Sequence, residues 1–147
     1  MLKRRLPSLA TMLLLLSLCS YAQTVGPVMP QIIARVNLTG QTNPIATTKL
    51  VNPTKDGLYR VSAVIVITTA NNPPGGLWYV YLGFAPDTGP TTQGVFAANS
   101  SQIGGGLNSY SYTIRSNAGH PITYAVADNG GAQGSTYELF LILERLE

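Results

Sequence analysis

Residues 58–69 read Leu-Tyr-Arg-Val-Ser-Ala-Val-Ile-Val-Ile-Thr-Thr, and this stretch constrains the fold more than any other. Tyr59, Val61, Ala63, Ile65 and Ile67 recur at every second position, while Leu58, Val64 and Val66 share the alternate set with Arg60 and Ser62. A period of two is that of a pleated strand, whose successive side chains point to opposite faces. Val and Ile lose side-chain freedom in a helix and pack well on a sheet, so composition and period agree. A strand apolar on both faces at one end belongs in the middle of a sheet, with neighbours on either side.

The rest of the chain supplies such neighbours. Gln31 to Leu38 alternates Ile32, Ala34, Val36 and Leu38 against Ile33, Arg35 and Asn37, which predicts one apolar face. Thr39-Gly40-Gln41-Thr42-Asn43-Pro44 is turn chemistry before a short strand, Ile45 to Val51, that ends at Asn52-Pro53 and Asp56-Gly57. Asn71 to Gly76 breaks the long strand. Leu77 to Phe84 then sets Trp78, Val80, Leu82 and Phe84 on one face and Tyr79 and Tyr81 on the other. Asp87 to Pro90 is a turn, Thr92 to Ala98 is a weaker strand carrying Val95 and Phe96, and Gly104-Gly105-Gly106 is a flexible loop tip. Asn108 to Ser116 alternates Tyr110, Tyr112 and Ile114 against Ser109, Ser111, Thr113 and Arg115, the pattern of a half-exposed antiparallel strand. Asn117 to His120 turns the chain into Ile122 to Ala127, and Asp128-Asn129-Gly130-Gly131 turns it again.

In the closing stretch, Thr136 to Leu146, Tyr137, Leu139, Leu141 and Leu143 oppose Phe140, Ile142 and Leu146. Both faces of that strand are expected to be largely buried and the strand central. No segment has helical periodicity and no repeat is found. Seven or eight short strands at this spacing indicate an all-β chain, an antiparallel β-sandwich of jelly-roll topology.

The first residues have another character. Lys3-Arg4-Arg5, the apolar run through Leu16 and the small residues Ser20 and Ala22 form a secretory signal peptide over 1–22. The run is far shorter than the roughly 20 residues of a membrane-spanning helix, and no later segment approaches that length. Leu18, directly before Cys19, argues against lipidation at that cysteine. Residues 23–30, with Gly26, Pro27 and Pro30, are an extended lead-in, and the sandwich domain occupies 31–147. The expected address is outside the cytoplasm of a bacterium, as an extracellular, cell-surface or periplasmic protein.

Of nine Lys and Arg, three lie in the leader, so the remainder balances the six Asp and Glu. A neutral chain has no electrostatic footprint for nucleic acid. Without Cys19 no thiol remains, so stability comes from the core rather than from disulfides.

Three stretches carry a family likeness. Asn52-Pro53-Thr54-Lys55-Asp56-Gly57-Leu58-Tyr59-Arg60-Val61-Ser62, Ala118-Gly119-His120-Pro121-Ile122-Thr123-Tyr124 and Tyr137-Glu138-Leu139-Phe140-Leu141-Ile142-Leu143 resemble strand and hairpin segments of the tumour necrosis factor and complement globular-head class, which has bacterial and phage-borne members. The resemblance spans roughly Ile45 to Leu146. It implies a homotrimer assembled around apolar and aromatic faces, serving recognition or structure rather than catalysis.

Candidate chemistry is sparse. His120, the single histidine, sits in a turn before Pro121 and lacks a nucleophile-elbow motif to serve. One histidine and no mature cysteine cannot assemble a zinc site. Asp56, Asp87 and Asp128 occupy turns, and Glu138 and Glu144 stand about 20 Å apart on a regular strand, too far for a glycosidase pair. Asp128-Asn129-Gly130 is either a plain turn or a calcium loop. No catalytic residue, metal or cofactor is assigned. The aromatic residues are what remains: Trp78, Tyr79, Tyr81, Tyr110, Tyr112 and Tyr124 are candidates for an inter-subunit seam or a sugar-stacking platform, and they equally suit the core of an ordinary sandwich. The expected function is a secreted non-enzymatic structural or recognition module that self-associates through an aromatic sheet face and binds a surface protein or carbohydrate. The alternative is a monomeric carbohydrate-binding accessory domain with exposed tyrosines.

Overall fold

The computed structural model describes residues 29–104 and 110–147. The signal peptide and most of the lead-in lie outside the described residues, as do Gly105, Gly106, Asn108 and Ser109. Eight strands follow in order: β1 (Gln31–Gln41), β2 (Ile45–Val51), β3 (Gly57–Thr69), β4 (Leu77–Phe84), β5 (Thr91–Asn99), β6 (Tyr110–Ser116), β7 (Ile122–Asn129) and β8 (Thr136–Arg145). Among the described residues there is no helix.

The strands form two four-stranded antiparallel sheets, ordered β1-β8-β3-β6 and β2-β7-β4-β5. First pairs with last, second with seventh, third with sixth and fourth with fifth, which is one long hairpin wrapped into a sandwich. That is jelly-roll topology, as the strand pattern predicts. β3 lies between β8 and β6, and β8 lies between β1 and β3, so the two strands apolar on both faces are the central ones.

The inward sets of the two sheets interdigitate. Val61, Ile65, Ile67, Leu139, Leu141 and Leu143 come from one sheet, and Trp78, Val80, Leu82, Ile122 and Val126 from the other, all at most 2% exposed. Burying each such side chain contributes about 1.5–3 kcal/mol. Trp78 and Tyr137 meet across the sheets with ring centroids 4.6 Å apart. Burial holds the Tyr137 phenol well above its usual value, and its hydroxyl donates to the Asn43 carbonyl at 2.9 Å.

Two sequence expectations need correction. In β1 the pairing with β8 slips between Ile32 and Ala34, so the alternation is interrupted by a bulge. Ile33 and Ala34 therefore both pack against the core, and Ile32, expected to be inward, is exposed. The second concerns β8. Its outer residues Phe140 and Ile142 are only half-buried, because among the described residues nothing lies over that face of the sheet.

Both ends of the sandwich are tied by side chains. At one end Asn71 Nδ2 donates to the carbonyls of Gly75 (2.7 Å) and Gly131 (2.8 Å), while Ser100 Oγ donates to Asn71 Oδ1 and to the Gly76 carbonyl. Three loops thus share one buried polar knot. Gly76 permits their approach: its φ is +80° and a β-carbon there would come 2.2 Å from the Ala132 nitrogen. At the other end the Asp56 carboxylate accepts the Ala118 N–H at 2.7 Å, the Pro53 carbonyl accepts the Gly119 N–H at 2.8 Å, and the Ala85 carbonyl accepts the Asn117 N–H at 2.8 Å. These bonds fix the β6–β7 turn, and with it His120, beside the end of β4.

Candidate functional site

The outer face of the β2-β7-β4-β5 sheet follows from register. Tyr79 stands between Ala97 of β5 and Ala127 of β7, Tyr81 between Gly94 and Ala125, and Gly83 between Thr92 and Thr123. Two half-buried tyrosines therefore rise from a field of small side chains, with ring centroids 6.2 Å apart and planes inclined by 33°. The Tyr81 ring leans over Gly94, where an added methyl would come 3.3 Å from its edge. Lys49, opposite Thr123 on β2, is the cation at the margin of this face.

Of the six aromatic candidates, two are withdrawn from any surface role. Trp78 is 0% exposed and donates its indole N–H to Ser135 Oγ at 2.8 Å, and Tyr124 is 6% exposed. Alternation puts both on the inward sets of their strands, where they are core. Tyr110 and Tyr112 sit on β6, the edge of the other sheet. Tyr110 is 47% exposed and stacks on Phe96 at 5.8 Å, and Tyr112 donates its hydroxyl to Gln93 Oε1 at 2.5 Å, bridging the sheet edges β6 and β5. Tyr79 and Tyr110 flank a shallow groove of about 490 Å³ floored by Gly94, Val95, Phe96 and Ala97.

The outer face of the β1-β8-β3-β6 sheet has a different chemistry. Phe140 pairs with Val64, Ile142 with Ser62, Glu138 with Val66 and Glu144 with Arg60. An aliphatic and aromatic centre is thus bordered by charge. Arg60 Nε lies 2.7 Å from Glu144 Oε2, and this bond holds the carboxyl below the usual carboxylate range and the guanidinium above its own. Arg35, opposite Ile142 on β1, and Arg115, opposite Leu58 on β6, complete the border.

The titratable candidates are dispersed. His120 is exposed in its turn, and Glu144 is committed to Arg60. Asp128 Oδ1 accepts the N–H groups of Ala132 (2.6 Å) and Gly131 (3.2 Å), which is the turn role of an aspartate. Among the described residues no three His, Cys, Asp or Glu side chains gather as metal ligands.

No protein-family model matches the chain, and no curated protein matches it. One solved structure, described as "Bacillus endospore appendages form a novel family of disulfide-linked pili", is similar over 86% of this chain and 97% of that one, with 13% identity and a TM-score of 0.38. A likeness at that level carries no argument about function.

Two surface features escape the sequence reading. The first is the open outer face of β3 and β8, which alternation assigns to burial because it counts apolar residues and not what covers them. The second is Gly83. It continues the set that begins with Tyr79 and Tyr81, and an isolated glycine inside a strand is the available signal that something approaches the backbone there.

Proposed function

We propose that this chain is an exported, non-enzymatic structural or recognition module that self-associates through the outer face of the β1-β8-β3-β6 sheet. The observation that carries the reading is the composition of that face. Val64, Val66, Phe140 and Ile142 present no polar atom, so covering them costs no hydrogen bond. The charges of Arg35, Arg60, Arg115, Glu138 and Glu144 stand around them. An apolar centre within a polar rim is the anatomy of a protein interface. Burial of Tyr79 and Tyr81 would instead require a partner for each hydroxyl, so the tyrosine-bearing face is the poorer seam and the better surface for a polar ligand. The resemblance to the tumour necrosis factor and complement class adds a trimer as the expected assembly.

The test is a pair of variants compared by light scattering behind a sizing column. Ile142→Lys places an unpaired charge in the seam and is expected to yield monomer, while Tyr81→Ser leaves the mass unchanged. Loss of assembly on Tyr81→Ser with retention on Ile142→Lys would move the seam to the tyrosine face and overturn the assignment. A second reading, a monomeric carbohydrate-binding domain, draws on the tyrosines themselves.

A further inference from the structure

Along the outer face of β4 the side chains run Tyr79, Tyr81, then nothing. At Gly83 the two facing residues are Thr92 on β5 and Thr123 on β7. A β-carbon on Gly83 would lie 2.4 Å from Thr123 Oγ1 and 3.8 Å from Thr92 Oγ1, so the missing side chain is what lets the Thr123 hydroxyl lie over the strand, beside a depression that Gly83, Thr92 and Thr123 line. The β4–β5 and β6–β7 turns raise its walls. Together they bound an open depression of about 200 Å³, with Thr91 and His120 among the residues that line it.

Its polar groups are free to bind. The hydroxyls of Thr91, Thr92 and Thr123 and the imidazole of His120 make no hydrogen bond to any described residue. Among the described residues no Asp, Glu, Lys or Arg lines the depression, and Lys49 flanks Thr123 only at the sheet margin. A hydroxyl both donates and accepts, so the three threonines match a ligand made of hydroxyl groups rather than an ion. Pro90 and Pro121, which line the depression beside the threonines, offer apolar surface on which the C–H face of such a ligand rests. The volume is below that of a drug-sized site and suits one small ring. A second, smaller hollow lined by Tyr81, Gly83, Thr92 and Thr123 continues the depression toward Tyr81.

From this we infer that the Gly83 depression is a subsite for a single neutral sugar ring, with Tyr81 and Tyr79 placed to carry further rings of the same chain. The assignment does not rest on self-association, which uses the opposite sheet.

The test is nuclear magnetic resonance of the isotope-labelled protein titrated separately with D-glucose, D-galactose, D-mannose and N-acetyl-D-glucosamine. At least one of these sugars is expected to shift the amides of Gly83, Thr92, His120 and Thr123. The variant Thr92→Val/Thr123→Val keeps the branched shape of both side chains and removes both hydroxyls, so its affinity for that sugar should fall about tenfold or more. Unperturbed amides elsewhere in the variant's spectrum verify that it is folded. Silence of these four amides with all four sugars overturns the proposal, and so does an affinity that the double variant leaves unchanged.

Discussion

Trp78 buries its ring against Tyr137 and donates its indole N–H to Ser135 Oγ, which donates in turn to the Ala132 carbonyl at 2.7 Å. All of these groups are shielded from water, so none can exchange a lost partner for solvent. Ser135→Ala strands a buried donor and is expected to cost about 1–3 kcal/mol. Trp78 is the single tryptophan, so its fluorescence reports denaturant unfolding directly, and an unchanged midpoint would contradict the role given to Ser135. The inward residues of β3 and β8 were legible at this scale, because period-two sets of Val, Ile and Leu have no second interpretation. In β4 the same period separates Trp78, Val80 and Leu82 from Tyr79 and Tyr81 but does not say which set faces inward. Packing decides it: the set holding the larger continuous apolar volume fills the core, while the set containing Gly83 leaves its hydroxyls outside.

At the scale of the element, β1 shows where periodicity stops being informative. Its alternation is unbroken in sequence, yet pairing with β8 places a bulge between Ile32 and Ala34. A bulge is a property of two strands and has no signature in either one alone. The structure therefore separates two neighbouring isoleucines. Ile32→Lys is expected to change stability by within about 0.5 kcal/mol, while Ile33→Lys, which drives a charge against the core, is expected to cost about 1–3 kcal/mol. Denaturant melts of both variants check the bulge, and the opposite order would restore a regular strand. Edge strands carry the remaining ambiguity. β5 and β6 belong to different sheets, and the contacts Tyr112–Gln93 and Tyr110–Phe96 that join them follow from the sandwich and not from either strand.

For the whole molecule, the jelly roll brings β3 and β8 together from opposite halves of the chain and leaves each sheet with one outward face. The two faces differ in kind. That of β1-β8-β3-β6 is aliphatic and ringed by charge, whereas that of β2-β7-β4-β5 carries tyrosines, threonines and small residues. The sequence announced the fold class and most of the strands, and it named the tyrosines. It did not divide the labour between faces, because that division depends on which strands become neighbours. If the first face is a seam between copies and the second a ligand surface, the protein at work is an oligomer displaying several sugar-binding faces.

The most direct measurement is the solution mass of the purified wild-type protein by light scattering behind a sizing column. A mass of several chains, with three expected, agrees with a seam on the β1-β8-β3-β6 face. A single-chain mass that persists as concentration is raised contradicts it.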